Sequence, residues 1–246
     1  MAKRRIGVTW RTLAVVLVVQ AGLFAVLWPA IRAARREARL AQRYNDMLQI
    51  GIGLTNFADV YKRLPPAVRT DDLGRPLSSW RSQLAPFLEA MMLGYDIDCA
   101  WDDPVNRHYA ARPHRCYCLL DAADGRQRTD TNVMAITGPD TPFDGHGRPF
   151  KDLDADTILV VEVAHSDTHW AEPGDLDIDD VPESLCQGLD GDGLHVLFAD
   201  GRVWFLRHDV PLAELREFFT IDGAKRHDRE QVLGPYAVRK DRRRGD

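Results

Sequence analysis

The chain has 246 residues, of which 45% are hydrophobic and 28% are charged, enough for one globular domain with an appendage or for two small domains. Its 18 glycines and 14 prolines follow no period, which excludes a collagen-like or low-complexity chain. The net charge of −5 is uneven, because residues 1–45 carry +8 and residues 236–246 carry +3, which leaves −16 for residues 46–235. An acidic body repels phosphate backbones, so the composition argues against nucleic acid as a partner.

The N-terminal part of the sequence has the pattern of a membrane anchor. Residues 1–11 are a basic start, and residues 12–31 contain no formal charge. A helix of 20 residues is about 30 Å long, which is the thickness of the hydrocarbon core of a bilayer. Trp10 and Trp28 stand near its two ends, where indole rings favour the lipid–water interface. The sequence therefore predicts a single transmembrane helix over residues 12–31, with the lipid bilayer as a partner.

A cleaved secretory signal and a buried core helix are the two alternatives for this segment. A cleaved secretory signal also begins with basic residues, but this apolar run is longer than a usual signal core and no small-x-small cleavage site follows it. A buried core helix seldom has so long an apolar run with Arg on both sides. Four basic residues precede the span and five follow it, so the positive-inside rule does not decide its orientation.

Residues 32–64 predict an amphipathic spine helix that continues the span. Leu40, Tyr44 and Leu48 recur at helical intervals, and Pro65 and Pro66 are expected to end the helix. The implied shape is a helix of about 50 residues, half in lipid and half packed on a globular head.

Residues 65–235 predict an α+β head built around an antiparallel sheet. The β-branched run 157–163 is typical of a buried strand, and two apolar segments around Ala199–Gly201 indicate a hairpin. The fold class is thus α+β, with a long membrane and spine helix packed on the sheet, and residues 236–246 predict a basic, disordered tail. The remaining predicted elements are hairpin strands 195–198 and 202–206, shorter strands 115–119 and 132–137, and a helix over 212–220.

Eight sequence blocks, in a fixed order, carry a resemblance to a known family. They are LWPAIRAARREARLAQRYNDMLQIGIGLTNF (27–57), LPPA (64–67), SWRSQLAPFLE (79–89), WDDPVN (101–106), TNVMAITGPDTPF (131–143), DTILVVEVA (156–164), HWAEPGDLDID (169–179) and HVLFADGRVWFL (195–206). On these blocks the chain resembles the bacterial pseudopilin-like proteins grouped as domain of unknown function 1559. The resemblance implies a prepilin-type signal anchor in the cytoplasmic (inner) membrane, single-pass, with an α+β head outside the cytoplasm. It also implies other pseudopilins or envelope proteins as partners, and it implies no known reaction.

The chain departs from that family pattern at two places. Family members carry a processing signal in which a peptidase cuts after Gly and a Glu stands five places on, whereas here Thr12 follows Gly7 at the Glu position. Cleavage is thus an open question, and an uncleaved single-pass protein is the favoured interpretation. The family's C-terminal signature places a His ten residues before Asp200–Gly201, and this chain has Asp190 there.

The stretch from Asp152 to Asp200 has 14 acidic residues and no Lys or Arg, so mutual repulsion calls for a counter-charge. Loops with Asp at alternate positions suit Ca²⁺, which binds carboxylate and carbonyl oxygens, although none of these loops has the Gly and closing Glu of an EF-hand. The alternative is that these acidic loops are solvated surface with turn and cap residues. The predicted Ca²⁺ candidates are Asp190, Asp192 and Asp200, with Asp175, Asp177 and Asp179 as a second set.

The remaining candidate residues, a glutamate, three histidines and the cysteines, favour a structural role over a catalytic one. Glu162 stands inside a strand-like run, so we expect a buried carboxylate that needs an Arg, backbone donors or a metal as partner. His195 is predicted to be a surface or packing residue, and His165 and His169 are predicted to be exposed loop residues, a zinc site being the alternative. The four cysteines allow one or two disulfides. We expect none between Cys116 and Cys118, because side chains two residues apart on a strand point the same way.

No motif for nucleophilic catalysis, for phosphate binding or for dinucleotide binding is present. Three hypotheses follow. The first is a non-enzymatic, membrane-anchored, pseudopilin-like protein of the cell envelope, and the second is an extracytoplasmic calcium- or ligand-binding module tethered by a pilin-like helix. The third is a metal-dependent hydrolase built on the acidic cluster, which lacks a recognisable base or nucleophile.

Overall fold

The computed structural model describes residues 10–88, 94–118, 128–189 and 192–240, and the chain divides into two compact units, residues 1–42 and 43–246. Six helices lie in the described parts: α1 (Trp10–Tyr61), α2 (Trp80–Gln83), α3 (Pro104–Ala110), α4 (Leu212–Arg216), α5 (Ile221–Arg226) and α6 (Arg229–Val232). The eight strands there are β1 (Val68–Thr70), β2 (Pro76–Ser79), β3 (Val133–Thr137), β4 (Ile158–Glu162), β5 (Leu176–Asp177), β6 (Gly193–Phe198), β7 (Val203–Arg207) and β8 (Ala237–Lys240).

Helix α1 is continuous through the predicted span and most of the predicted spine, as the sequence indicated. It ends at Tyr61, where Lys62 takes a left-handed conformation with φ of 61°, three residues before Pro65. From Arg43 onward it belongs to the same compact unit as the head.

The second half of α1 packs through an apolar stripe. Met47, Ile50 and Leu54 are 2% exposed or less and recur at intervals of three and four, which places them on one face of the helix. Gly53 lets this face lie close to the chain after α2, because a Cβ there would stand 2.9 Å from Leu88 Cδ2. Burial of this stripe, rather than helix propensity, fixes this half of the helix in place.

The central sheet has six strands in the order β5-β3-β4-β6-β7-β8, and every neighbouring pair is antiparallel except β3 with β5. Strands β4 and β6 are buried along their whole length, since apolar layers cover both faces of the sheet. One layer joins the α1 stripe to Val160 and Leu197, and the other joins Val161 and Val196 to the C-terminal helices. Strands β1 and β2 form a separate two-stranded sheet. The predicted α+β class is confirmed.

Several predicted elements are confirmed and three need correction. Strands β3, β4 and the β6–β7 hairpin lie where the sequence placed them, with Gly201 at φ of 80° in the turn. Residues 115–118 form turns instead of the predicted strand, and residue 119 lies outside the described residues. The helix predicted over 212–220 ends at Arg216, because the Thr220 side chain already caps α5 by accepting a hydrogen bond from the Gly223 N–H.

The third correction concerns the predicted disordered tail. Residues 237–240 form β8, which pairs with β7 in the register Phe205 with Arg239 and Leu206 with Ala237. The apolar start of this segment and the open edge of β7 explain the strand, since an unpaired edge offers backbone donors and acceptors. Residues 241–246 lie outside the described residues.

Candidate functional site

The first half of α1 presents apolar side chains on all sides. Its 18-residue apolar window has a mean hydropathy of 2.2, and none of that window is buried. Leu17 and Val19 lie about 200° apart around the helix axis, yet they are 64% and 54% exposed. A core helix would bury one of those sides, so that alternative is wrong for the described residues. The helix is long and apolar enough to cross a membrane once.

Aromatic and cationic side chains flank this apolar segment. The Arg11 guanidinium lies 5.7 Å from the ring centroid of Trp10, and the Arg32 guanidinium lies 5.0 Å from that of Trp28. Phe24 stacks on Trp28 with ring centroids 5.0 Å apart. Indole rings and arginines at both ends of an apolar helix match the composition of the two membrane interfaces.

In the head, the carboxylate of Glu162 lies at the centre of a buried polar cluster. Its Oε1 is 2.6 Å from an Arg43 guanidinium nitrogen, and its Oε2 accepts a 3.1 Å hydrogen bond from the His195 backbone N–H and lies 2.5 Å from His195 Nδ1. All three residues are at most 4% exposed. Burial alone would raise the pKa of Glu162, but the hydrogen bond and charge of His195, together with Arg43, lower it. The buried carboxylate is therefore ionised and fully paired.

A small cavity of about 10 Å³ lies beside this cluster, lined by Arg43, Asp46, Met47, Cys116, Val133 and Glu162. Asp46 is 2% exposed and its Oδ2 atom has no hydrogen-bond partner among the described residues. Burial raises the pKa of Asp46 to about 6, and the positive charge of Arg115 opposes only part of that rise. A cavity of this size has room for about one water molecule, not for an organic ligand.

A second buried cluster forms around Arg81. Its guanidinium lies 2.8 Å from Asp175 Oδ1 and donates hydrogen bonds to the backbone oxygens of Trp170, Val133, Glu172 and Gly174. The same carboxylate oxygen of Asp175 accepts hydrogen bonds from Trp80 Nε1 at 3.0 Å and from the Ala135 N–H at 2.8 Å. Burial raises the pKa of Asp175, and Arg81 opposes that rise. Arg81 thus ties α2 to the loop before β5 and to strand β3.

A third buried arginine, Arg229 at the start of α6, holds two loop carboxylates. Its Nε lies 3.1 Å from Asp156 Oδ1, and its two terminal nitrogens face both oxygens of Asp200 in the β6–β7 turn. The guanidinium also lies 4.6 Å from the ring centroid of Phe198 and 5.2 Å from that of Trp204. A bidentate pair with a stacked guanidinium is a geometry that arginine, but not lysine, provides.

An open groove of about 510 Å³ lies among the C-terminal helices. It contains a Glu217–His227 pair, with Oε2 3.5 Å from Nδ1, and the Tyr236 hydroxyl, which donates a 3.4 Å hydrogen bond to Glu214. The remaining lining residues are Ala213, Gln231, Val232 and Pro235.

The family described as a protein of unknown function (DUF1559) matches residues 32–157, just over half of the chain. The chain belongs to this DUF1559 family. No curated protein and no solved structure matches it. The match contains Arg43, Asp46 and Arg81, whereas the apolar segment before residue 32 and the Glu162–His195 pair lie outside it.

In this DUF1559 protein the described acidic residues among the proposed Ca²⁺ ligands have separate partners. Asp175 binds Arg81, Asp200 binds Arg229, and Asp177 accepts a 2.9 Å hydrogen bond from the Asp179 N–H as a helix cap. Asp192 is half-buried directly before β6, and Asp190 lies outside the described residues. Among the residues the structure describes, no three His, Cys, Asp or Glu side chains form a group that could hold a metal ion. The calcium site stays a prediction, because Asp190 belongs to it.

The remaining histidine and cysteine predictions have mixed outcomes. His195 is buried and pairs with Glu162, so it is not a surface residue, and it packs on Phe205 with ring centroids 4.9 Å apart. His169 is half-buried rather than exposed, because its Nε2 lies 2.9 Å from the Ala110 oxygen and its ring stacks on Trp101. The four cysteines, which all lie within the described residues, form no disulfide, and Cys116 Sγ donates to Gln49 Oε1.

The sequence predicted a partner for Glu162 but did not identify it. Arg43 lies 119 residues away in the chain, and the signal that could have found it is an Arg on the apolar face of an amphipathic helix. The counter-charges for the acidic stretch 152–200 likewise come from outside it, from Arg43, Arg81 and Arg229. A DUF1559 family match and an apolar N-terminal helix together fit a membrane-anchored protein of unknown function.

Proposed function

We propose that this protein is a non-enzymatic, pseudopilin-like component of the bacterial cytoplasmic membrane. A single N-terminal helix anchors it, and its acidic head lies outside the cytoplasm in contact with other pseudopilins or envelope proteins. The observation that carries the proposal is helix α1, whose apolar half has no buried residue in its apolar window while its continuation supplies the core stripe of the head. One helix that anchors and also nucleates a head is the architecture that the pseudopilin resemblance implies.

The polar clusters of the head support a structural rather than a catalytic role. Glu162, Asp175 and Asp200 each bind a buried arginine. A catalytic carboxylate or histidine needs access to substrate, and the Glu162–His195 pair is at most 2% exposed. These residues hold distant segments of the head together.

The anchor is tested on the full-length chain by alkaline carbonate extraction of membranes, followed by mass spectrometry of the N-terminus. We expect the protein to stay in the membrane pellet with an uncleaved N-terminus. Release into the supernatant would contradict the anchor. A mature N-terminus after Gly7, which lies outside the described residues, would contradict the uncleaved form and favour an assembling pilin.

The orientation is tested by cysteine labelling. Leu73, at the tip of the β1–β2 turn, is 79% exposed, so a Leu73→Cys variant in a Cys99→Ser background presents an accessible thiol on the head. We expect a membrane-impermeant maleimide to label this thiol in intact spheroplasts. Labelling that requires lysis would place the head in the cytoplasm and would contradict the proposal.

Partners are tested by crosslinking in native membranes. We expect adducts with a second copy or with another envelope protein, identified by mass spectrometry of the crosslinked peptides. A chain that stays monomeric and gains no neighbour at several crosslinker lengths would argue for a tethered ligand-binding module instead.

A further inference from the structure

Four arginines follow the apolar segment of α1 on one side of the helix. Arg32, Arg35, Arg36 and Arg39 stand at positions i, i+3, i+4 and i+7, and at 100° per residue they fall within an arc of about 100°. Glu37, the acidic residue of this stretch, lies about 140° from Arg32 and about 100° from Arg36 around the axis. The helix therefore turns a cationic stripe to one side immediately after its last apolar turn.

The position of the stripe along the helix selects its ligand. If residues 12–31 fill the hydrocarbon core, Arg32 stands at the boundary and Arg36 is about 6 Å further along the axis. The headgroup layer on each side of a bilayer is roughly 5–8 Å thick. Arg32, Arg35 and Arg36 then lie at the depth of the lipid phosphates, and all three side chains are exposed.

The chemistry of the stripe agrees with this depth. A guanidinium binds phosphate oxygens with two parallel hydrogen bonds, and each basic side chain near an anionic bilayer surface adds about a five-fold gain in binding. The Arg32 guanidinium lies 5.0 Å from the centroid of the Trp28 ring, which holds it next to the indole that marks the interface.

We infer that Arg32, Arg35 and Arg36 form a binding site for the phosphates of anionic phospholipids where α1 leaves the membrane. This inference rests on the proposed function, because the stripe reaches headgroups only if the apolar segment spans the bilayer. It adds a lipid preference that an apolar anchor by itself does not have.

The test uses the full-length protein reconstituted in vesicles that mix phosphatidylglycerol and phosphatidylcholine, with a trace of one spin-labelled lipid. Electron paramagnetic resonance measures the fraction of each label that the protein immobilises. We expect the wild type to immobilise more labelled phosphatidylglycerol than phosphatidylcholine. In the Arg32→Gln/Arg35→Gln variant that ratio should fall several-fold towards one, because two phosphate ligands are lost.

Two matched variants separate charge from position. The Arg32→Lys/Arg35→Lys variant should keep part of the preference, since lysine retains the charge without the two-pronged hydrogen bonding. The Arg107→Gln/Arg112→Gln variant removes two exposed charges from the head and should leave the ratio unchanged. A preference that survives in the Arg32→Gln/Arg35→Gln variant would overturn the inference.

The other outcomes separate this inference from the proposed function. A wild-type protein that immobilises both labels equally would overturn the lipid site and leave the anchor standing. A protein that immobilises neither label would contradict the anchor itself. Millimolar inorganic phosphate, added at constant ionic strength, could abolish the preference for phosphatidylglycerol. The stripe would then bind free phosphate rather than lipid headgroups, and the inferred ligand would be wrong.

Discussion

The two halves of helix α1 share one backbone conformation and differ in how their apolar side chains are distributed. In the first half, the exposed Leu17 and Val19 lie about 200° apart, and no side of the apolar window is buried. In the second half, the apolar residues Met47, Ile50 and Leu54 form a stripe that the head covers. The distribution around the axis, not the apolar content, decides whether a helix segment suits lipid or a protein core.

Arginine shows the same contrast. Arg32 lies among exposed residues next to the Trp28 indole, whereas Arg43, eleven residues on, lies on the same side of the helix and is 4% exposed against Glu162. Water or lipid headgroups can solvate the first guanidinium. The second depends entirely on protein partners, because a buried charge without a partner is costly.

The largest effect is expected from breaking that buried pair. Arg43→Gln leaves the Glu162 carboxylate facing only His195, and loss of one partner of a buried ion pair costs about 3–5 kcal/mol of unfolding free energy. Arg32→Gln, the matched change in the first half, should leave head unfolding unchanged. Urea denaturation of the detergent-solubilised protein measures both, and equal losses would show that the two halves do not differ.

Truncation of apolar side chains is expected to have the next largest effect. Leu54→Ala creates a cavity in the core and should lower the unfolding free energy of the head by about 2–5 kcal/mol. Leu17→Ala removes the same atoms from a side chain that is 64% exposed, so it should leave the unfolding free energy of the head unchanged. The same denaturation measurement checks the pair, and destabilisation of the head by Leu17→Ala would mean that the first half is part of the core.

A new charge should have the larger effect in the first half of α1, whereas the two preceding substitutions have the larger effect in the second half. Val18→Arg places a guanidinium near the middle of the predicted span. It should make the free energy of membrane insertion less favourable by about 2.5–3.5 kcal/mol. Ile52→Arg, on the exposed side of the second half, should insert and fold normally. Carbonate extraction quantifies insertion, and a Val18→Arg protein that stays fully in the pellet would argue against a lipid environment for this segment.

The smallest effect is a pH dependence that comes from Asp46. Its pKa in the folded state, about 6, is above the value of 3.8 for an exposed Asp, so folding favours the protonated form. This contribution to stability is complete below about pH 3.8 and is lost as the pH rises through about 6. A rise in pKa from 3.8 to about 6 corresponds to about 2–3 kcal/mol of unfolding free energy.

The Asp46→Asn variant should therefore be more stable than the wild type at neutral pH, and its stability should vary less between pH 4 and pH 7. Asp59→Asn, an exposed position on the same helix, is the matched control and should follow the wild type. Thermal unfolding across this pH range is the measurement. Destabilisation by Asp46→Asn at neutral pH would show that the ionised carboxylate has a partner after all.

The elements that depend on local patterns could be predicted from the sequence. The apolar run of α1, the β-branched run of β4 and the Gly turn between β6 and β7 each follow from residues close together in the chain. The buried state of Glu162 was predicted for the same reason, since the carboxylate interrupts a strand in which every residue is buried.

The partners of the acidic residues could not be predicted, because they come from distant parts of the chain. Asp175 meets Arg81 across 94 positions, and Asp200 meets Arg229, which stands in α6, a helix that the sequence did not predict. A stretch with 14 acidic residues and no basic ones predicts repulsion, and only the tertiary fold shows which arginines relieve it. The prediction left His195 open between a surface and a packing residue for the same reason, since alternation along β6 does not show that both faces of the sheet are covered.

Strand β8 has a practical consequence for any truncation of this protein. It is the outermost strand of the six and covers the side of β7 that would otherwise present unpaired backbone groups. A version that stops before Ala237 would leave β7, whose residues are apolar and buried except for Arg207, as an unpaired edge strand. Strands of other molecules could then pair with it and cause aggregation. Shortened proteins for crystallisation should therefore end after Lys240, and affinity tags should be separated from it by a spacer.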